Sequence, residues 1–486
     1  MQNIMGLVWS NVYIFLILGI ATVVARLSKG ALETSRKFVH ILVGNWVFLT
    51  PMFTQLWAVI LVPFAFIIIN SLSLKYKLIP AMERHDDSLG TVYYAISMFL
   101  LSGAGFLLGW RTLSFIGLLT MAYGDGLAAI VGKKWGKRRP FKFAPEKTIV
   151  GSLTVAAAAF VITAACLFAF SGEETLRDIR ISTVLLISIL TAILSAFIEL
   201  TGKKGCDNLT LPIGSGLFAS LCLHYGTLGF YIYLFFSAAI LLAAYQVRAL
   251  TPDGIVAAIL TAMTLYALGG AWIGIGLLTF FVLGSAVSRL KNERKRIAEA
   301  LQEESGPRNW KQVLCNSLPA CVLLWLSLFL PDQEHLILLS FAVFSAAAAD
   351  TFASEIGMLS KGKVFNILNF KPIQSGLSGG VSWAGLGAGA LGSLLLSLLA
   401  FPQFGWPGVA FVFVLGFIGS ILDSLLGSVF QRKYMGQHGQ LQDKPNHDHE
   451  KPAKGFQIIT NNAVNLLSLS LIACCGLFVY SMMTKV

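Results

Sequence analysis

The chain has 486 residues, 56% of them hydrophobic and only 12% charged, against roughly 25% charged in soluble domains. That balance excludes a soluble globular protein and predicts an all-α, polytopic membrane protein. The formal charge of +12 does not call for a nucleic-acid partner, because the basic residues crowd into loops, as the bias that orients membrane spans requires.

Apolar runs close to the about 20 residues that cross a bilayer recur from end to end. The first half gives runs at 10–27, 38–54, 56–74, 91–110, 112–131, 150–170, 181–200, 209–223 and 228–246. The second gives 253–268, 271–288, 313–330, 335–353, 378–400, 406–429 and 458–482. That makes about sixteen segments, several short or Gly-rich enough to be re-entrant. The N-terminal run has no basic n-region and no cleavage site before Ser28, so it reads as a first span rather than a signal peptide. If the 132–149 loop is cytoplasmic, alternation also brings inside 26–37, 75–90, 201–208, 289–312, 354–377 and 430–457. Nearly every basic loop then lies on one face, as in a bacterial-type cytoplasmic membrane, and both termini point outward. The run "RLKNERKRIAEALQEE" (289–304) reads as a helix leaving the membrane surface, in contact with lipid heads. "HDHE" (447–450) reads as a solvated segment rather than a metal site. The seven cysteines have neither zinc-ligand nor disulfide-framework spacing and read as small core hydrophobes.

Carboxylates inside a membrane are costly and mark functional sites. Asp125, Glu199, Asp207, Asp350, Glu355 and Asp423 all fall at or near the cytoplasmic ends of predicted spans. A transporter places such groups nearer the midplane. An active site facing the cytoplasm, with a soluble nucleotide and a lipid substrate, places them as found. Carboxylates beside a phosphate-bearing substrate suggest Mg²⁺, with substrate phosphates completing its shell. Lysines and arginines would neutralise the transferring phosphoryl group. There is no GxxxxGK[ST] phosphate loop.

"GDGLAAIVGK" (124–133) is echoed by "ADTFASEIGM" (349–358). Each has an Asp between small residues, an alanine three positions on and a glycine seven positions on (Gly132, Gly357). A basic loop and a Gly/Ser-rich stretch follow each. "CDNLTLP" (206–212) and "TNNAVNLL" (460–467) form a fainter pair. The pattern predicts two related halves, each with its own polar site.

Residues 1–245 resemble the phytol kinase and dolichol kinase family, through "ETSRKFVHI" (33–41), "SLGTVYYAIS" (88–97), "GDGLAAIVGKKWG" (124–136), "PEKTIVGS" (145–152), "IEL" (198–200) and "DNLTLPIGSG" (207–216). Residues 246–486 resemble a second membrane family, which contains plant phytyl-phosphate kinase. The matching blocks are "LTPDGIVAA" (250–258), "TFFVLGSAVSRL" (279–290), "GPRNWKQVLCNS" (306–317), "ADTFASEIGMLS" (349–360), "SGLSGGVSWAG" (375–385), "GSILDSLLGSVFQ" (419–431) and "TNNAVNLLS" (460–468). The resemblance implies CTP-dependent phosphorylation of a long isoprenoid alcohol to its monophosphate by the first half, and to the diphosphate by the second. CTP is the expected donor, with another nucleoside triphosphate as the variant. In the first half it implies Asp125 and Asp207 as metal or catalytic carboxylates, supported by Glu199. Arg36, Lys37, His40, Lys133, Lys134, Lys147, Gly151, Ser152 and Asn208 would bind nucleotide or phosphate. In the second half Asp350, Glu355 and Asp423 are the acids, Asp350 and Asp423 on metal. Arg308, Asn309, Lys371, Ser378, Gly379, Gly380, Asn461 and Asn465 are the expected polar support. Asn461-Asn462 stands where the second family often has Asn-Asp, and "SGLSGG" where a Thr-Asn segment is common. The rival reading is a transporter or flippase of lipid-linked phosphates built from the two halves as repeats.

Overall fold

A computed structural model describes residues 1–27, 32–76, 89–176, 179–303, 306–330, 334–436, 439–447 and 450–483, without the side chains of residues 18, 21, 22, 24–27 and 32–36. It is helical, as lipid demands, since only a helix or a closed barrel satisfies its own backbone there. Contacts divide the chain into two compact units, Met1–Gly226 and Thr227–Val486.

The first unit runs α1 (Gln2–Leu27), α2 (Leu32–Gly44), a 3₁₀ turn (Asn45–Met52), α3 (Leu56–Tyr76), α4 (Gly90–Leu108) and α5 (Arg111–Leu119). A π-helical turn (Thr120–Asp125) then leads into α6 (Gly126–Trp135), α7 (Ile149–Thr175), α8 (Ile181–Thr201) and α9 (Asp207–Tyr225). Helix α5 is its core: every residue from Thr112 to Leu119 is buried, under α4, α7 and α9.

The second unit holds α10 (Leu228–Gln246), α11 (Pro252–Gly269), α12 (Ala271–Arg289), α13 (Glu293–Glu299), α14 (Trp310–Ser327) and α15 (Glu334–Leu359). Two short antiparallel strands come next, β1 (Phe365–Asn366) and β2 (Gly380–Val381). Then come α16 (Trp383–Ser397), α17 (Phe401–Val429), the strand pair β3 (Tyr434–Met435) and β4 (Leu441–Gln442), and α18 (Asn461–Met483). Helix α15 is the axis of this unit. Its alanines Ala342 and Ala346 to Ala349 are buried, which lets α12, α14, α16, α17 and α18 pack closely around it.

In chain order, α4, α5–α6, α7, α8 and α9 correspond to α14, α15, α16, α17 and α18. The neighbours correspond as well: α4 packs on α5 and α9 as α14 does on α15 and α18, and α7 on α8 as α16 on α17.

Among the described residues, eleven helical runs are long and apolar enough to cross a membrane, fewer than the sequence suggested. The run at 38–54 is a short helix and a 3₁₀ turn. Helices α9 and α14 carry polar residues and an internal proline, Pro212 and Pro319. The described apolar part of α1 is only Gln2–Ile17. The runs at 378–400 and 406–429 succeed one another through a 3₁₀ turn and a break at Gly405, whose φ of 60° and ψ of −167° suit only glycine.

Three readings change. Helix α10, grouped with the first half by the 245 boundary, packs on α11 and belongs to the second unit. Of the described residues 289–303, Arg289 ends α12 and Glu293–Glu299 form the seven-residue α13, packed on α15, with Lys295, Ala298 and Leu301 buried. A lipid-surface helix does not bury those positions. Cys474 and Cys475 are exposed on α18 rather than in the core.

Candidate functional site

Asp125 closes the π turn, a wide turn often found at functional sites because its extra residue re-aims the rest of the helix. It is 8% exposed. Lys37 Nζ on α2 donates to Asp125 Oδ2 at 2.6 Å, and His40 Nε2, one turn on, lies 3.4 Å from the same oxygen. Tyr94 stacks on the His40 ring at 4.5 Å and its hydroxyl donates to the His40 carbonyl at 3.1 Å. A Cβ on Gly126 would come within 2.5 Å of Ile41, so glycine there is what lets α2 approach.

Lys147 enters from the loop before α7. Its Nζ lies 2.5 Å from Glu199 Oε1 and 3.6 Å from Asp207 Oδ2. Burial alone would lower its pKa, but Glu199, Asp207 and Asp125 together hold it above the ordinary lysine value. The set is thus three carboxylates around two lysines. Glu199 Oε2 and Ser152 Oγ are buried with no hydrogen-bond partner, which leaves polar valence for a ligand. Asn208 Nδ2 is committed to the Gly90 carbonyl at 2.7 Å, so it ties α9 to α4. Gly151 N donates to the Thr148 cap. Lys133 and Lys134 are exposed on the last turn of α6. The Arg36 side chain lies outside the described residues.

The second unit encloses a cavity of about 570 Å³. Asp350, Glu355 and Asp423 line it with Arg308, Ser378, Gly379, Gly380, Asn461 and Asn465. Asp350 and Asp423 are in direct side-chain contact. Ser468 Oγ donates to Asp423 Oδ2 at 2.9 Å, and the Asn465 amide, turned to donate, reaches that oxygen at 3.2 Å. Among the described residues no ion pair reaches either aspartate. Glu355 is held differently. Ser288 Oγ donates to its Oε1 at 2.6 Å, and Lys295 Nζ lies 2.6 Å from its Oε2.

Several expected ligands serve the fold. Asn309 and Gln312 form a reciprocal capping box on α14. Lys371 is exposed and does not line the cavity. Ser378 donates through its backbone N (3.0 Å) and Oγ (2.9 Å) to Asp443. Burial pushes the Asp443 carboxyl up to about 6, against those hydrogen bonds and the charge of Lys433. Asp443, Lys295 and Lys433 were all missed in sequence, since each belongs to a polar, charged loop stretch whose composition does not mark the buried member. In "HDHE", Asp448 and His449 lie outside the described residues, and Glu450 accepts from Asn446 N at 2.6 Å.

The sequence echo recurs as one contact made twice. Thr148 caps α7 by accepting from Gly151 N, and Ser382 caps α16 by accepting from Gly385 N, each at 3.1 Å. A Cβ on Gly132 would meet Thr148 Oγ1 at 3.0 Å and Gly151 Cα at 3.5 Å. A Cβ on Gly357 would meet Ser382 Oγ at 3.4 Å and Gly385 Cα at 3.6 Å. The glycine seven residues past each aspartate therefore seats its helix on the cap of the next one.

No three His, Cys, Asp or Glu side chains converge as a metal cage among the described residues. The Asp350–Asp423 pair nevertheless fits a divalent cation of the Mg²⁺ type. It is an all-oxygen set, and two touching carboxyls need a proton or a cation between them. The first site fits less directly, because lysines already hold Asp125 and one oxygen of Glu199.

Comparison with known proteins places the chain. A stretch of 203 residues, 41% of this chain and 83% of its relative, is 37% identical to Phytol kinase of Synechocystis. The chain belongs to the phytol kinase-like family of membrane proteins. The model of the integral membrane protein family DUF92 matches residues 235–473 of this phytol kinase-like chain. Protein PGR of Arabidopsis thaliana is 30% identical over 262 residues, 48% of this chain and 90% of that protein. An uncharacterized membrane protein of Methanocaldococcus jannaschii is 34% identical over 188 residues, 38% of this chain and 76% of that one. No solved structure gives a significant match.

Proposed function

We propose that this phytol kinase-like chain phosphorylates a long-chain isoprenoid alcohol at the cytoplasmic face, to the monophosphate in the first unit and to the diphosphate in the second. CTP is the proposed donor and Mg²⁺ the cofactor. The observation that carries the reading is the Lys37/His40–Asp125 and Lys147–Glu199–Asp207 set, in a chain that is 37% identical to a phytol kinase over 203 residues.

In the first step the alcohol oxygen bonds to the terminal phosphorus and the bond to the bridging oxygen breaks, releasing the nucleoside diphosphate. An alcohol must lose its proton, and His40 takes it, with Asp125 stabilising the imidazolium. Lys37 holds Asp125 in place, and Lys147 offsets charge on the transferring group. In the second step the nucleophile is a phosphate oxygen, already ionised near neutrality with a second pKa of about 6. It needs no base, and among the described residues that line the cavity there is no histidine. When bound, Mg²⁺ would be held by Asp350 and Asp423 and would neutralise phosphate charge.

Purified protein with CTP, Mg²⁺ and geranylgeraniol, read by mass spectrometry of the lipid, tests this. Mono- and diphosphate are expected. Neither product with any prenyl alcohol or nucleoside triphosphate would sink the kinase reading and leave the transporter.

A further inference from the structure

We propose that Lys295 is a positioning residue for the second unit's phosphoryl transfer, acting through Glu355; this rests on the kinase reading above. Lys295 belongs to a seven-residue helix on which Glu293, Arg294 and Arg296 are exposed and Glu299 is half-buried, yet it has no exposed surface at all. Its ammonium has three protons, and each has a near acceptor: Glu355 Oε2 at 2.6 Å and the carbonyls of Ser288 and Leu290, both at 2.8 Å. Glu299 stands further off at 3.9 Å.

Burying an ammonium is expensive, and a Met or Leu of similar volume would hold α13 against α12 and α15 at lower cost. Capping the end of α12 does not require burial either, since an exposed lysine can reach such carbonyls. What burial adds is the fixing of Glu355. Ser288 holds one carboxylate oxygen from the last turn of α12, and Lys295 holds the other. Glu355 therefore presents its remaining lone pairs to the cavity in one orientation. The ion pair also gives it a different partner from Asp350 and Asp423. Among the described residues no ion pair reaches those two, whereas Glu355 has Lys295, and the three acids do not converge as one metal cage. Glu355 orients the phosphate nucleophile or its water, and Lys295 keeps Glu355 where it can.

Full-length protein is assayed for both steps, because the first step reports folding of the chain. Lys295→Met should lower kcat of monophosphate-to-diphosphate conversion about 10- to 100-fold, the usual cost of losing an orienting partner. KM for the monophosphate should stay within about threefold, and the alcohol-to-monophosphate step should be unchanged. Ser288→Ala, which buries no orphan charge, should give a smaller loss of the same kind. Glu355→Gln should match Lys295→Met, and the double variant, which leaves no unpaired charge, should be no worse than either single. Additive losses, a change confined to KM, or a fully active Lys295→Met would overturn the proposal while the kinase reading stands. Wild-type protein that makes monophosphate but never diphosphate would overturn the second-step reading and this proposal together.

Discussion

In the first unit Asp125, Glu199 and Asp207 share two lysines, whereas in the second Asp350 and Asp423 touch with asparagines and a serine around them. The surrounding scaffold is the same in both, down to the capped helix and the glycine seated on it. The residue just before the cap differs: Lys147 precedes Thr148, but Val381 precedes Ser382. That position is one of the two, with Lys37, at which the first unit supplies a cation of its own. Electrostatic company, rather than the carboxylates themselves, separates the two sites.

The largest effect that can break this comparison is on product. Asp125→Asn should stop the lipid at the alcohol, with a loss of about 10³-fold typical of removing a key electrostatic group. Asp350→Asn should let monophosphate accumulate. If both variants stopped at the alcohol, two independent sites would be the wrong description. Next comes stability. Lys147→Met strands buried carboxylates and should cost roughly 3–5 kcal/mol, with part recovered in Lys147→Met/Glu199→Gln, as read from thermal unfolding in detergent.

Metal comes third. Mg²⁺ without nucleotide should raise the unfolding temperature of the wild type by about 2–4 °C. Asp423→Asn should abolish that rise and Asp125→Asn should keep it. An equal rise in Asp423→Asn would remove the proposed asymmetry.

The smallest effect concerns pH. Because Asp443 binds its proton more tightly folded than unfolded, stability should fall as pH rises from the ordinary carboxylate range of about 4 through about 6. Asp443→Asn should flatten that slope. A steeper slope in the variant would mean that the hydrogen bonds from Ser378 outweigh burial.

Much of this was legible in sequence. Apolar length and basic loops revealed a polytopic helical chain, and the Asp-x₆-Gly echo survives as a repeated helix contact. The parts that stayed hidden did so for physical reasons. Charge alone does not say which lysine of "RLKNERKR" turns inward, because that depends on Glu355, sixty residues beyond Lys295. The capping role of Asn309 was hidden by its resemblance to a phosphate ligand: an oxygen that accepts a helix N–H is the same group that would face a ligand. Asp443 does not stand out because the loop carrying it is polar overall, yet that loop folds onto Leu301, whose carbonyl accepts from Asp443 N at 2.9 Å.

The π turn at Thr120–Asp125 has a consequence for any attempt to redesign the chain. Such a turn is equivalent to one residue inserted into an α-helix. Substitutions that forced 120–125 into regular α-helix, with every residue kept, would swing α6 about its axis by about 100° relative to α5. Asp125 would then leave Lys37 and His40. An optimiser that rewards helical regularity would accept those substitutions, and the product would be a better helix without its carboxylate in place.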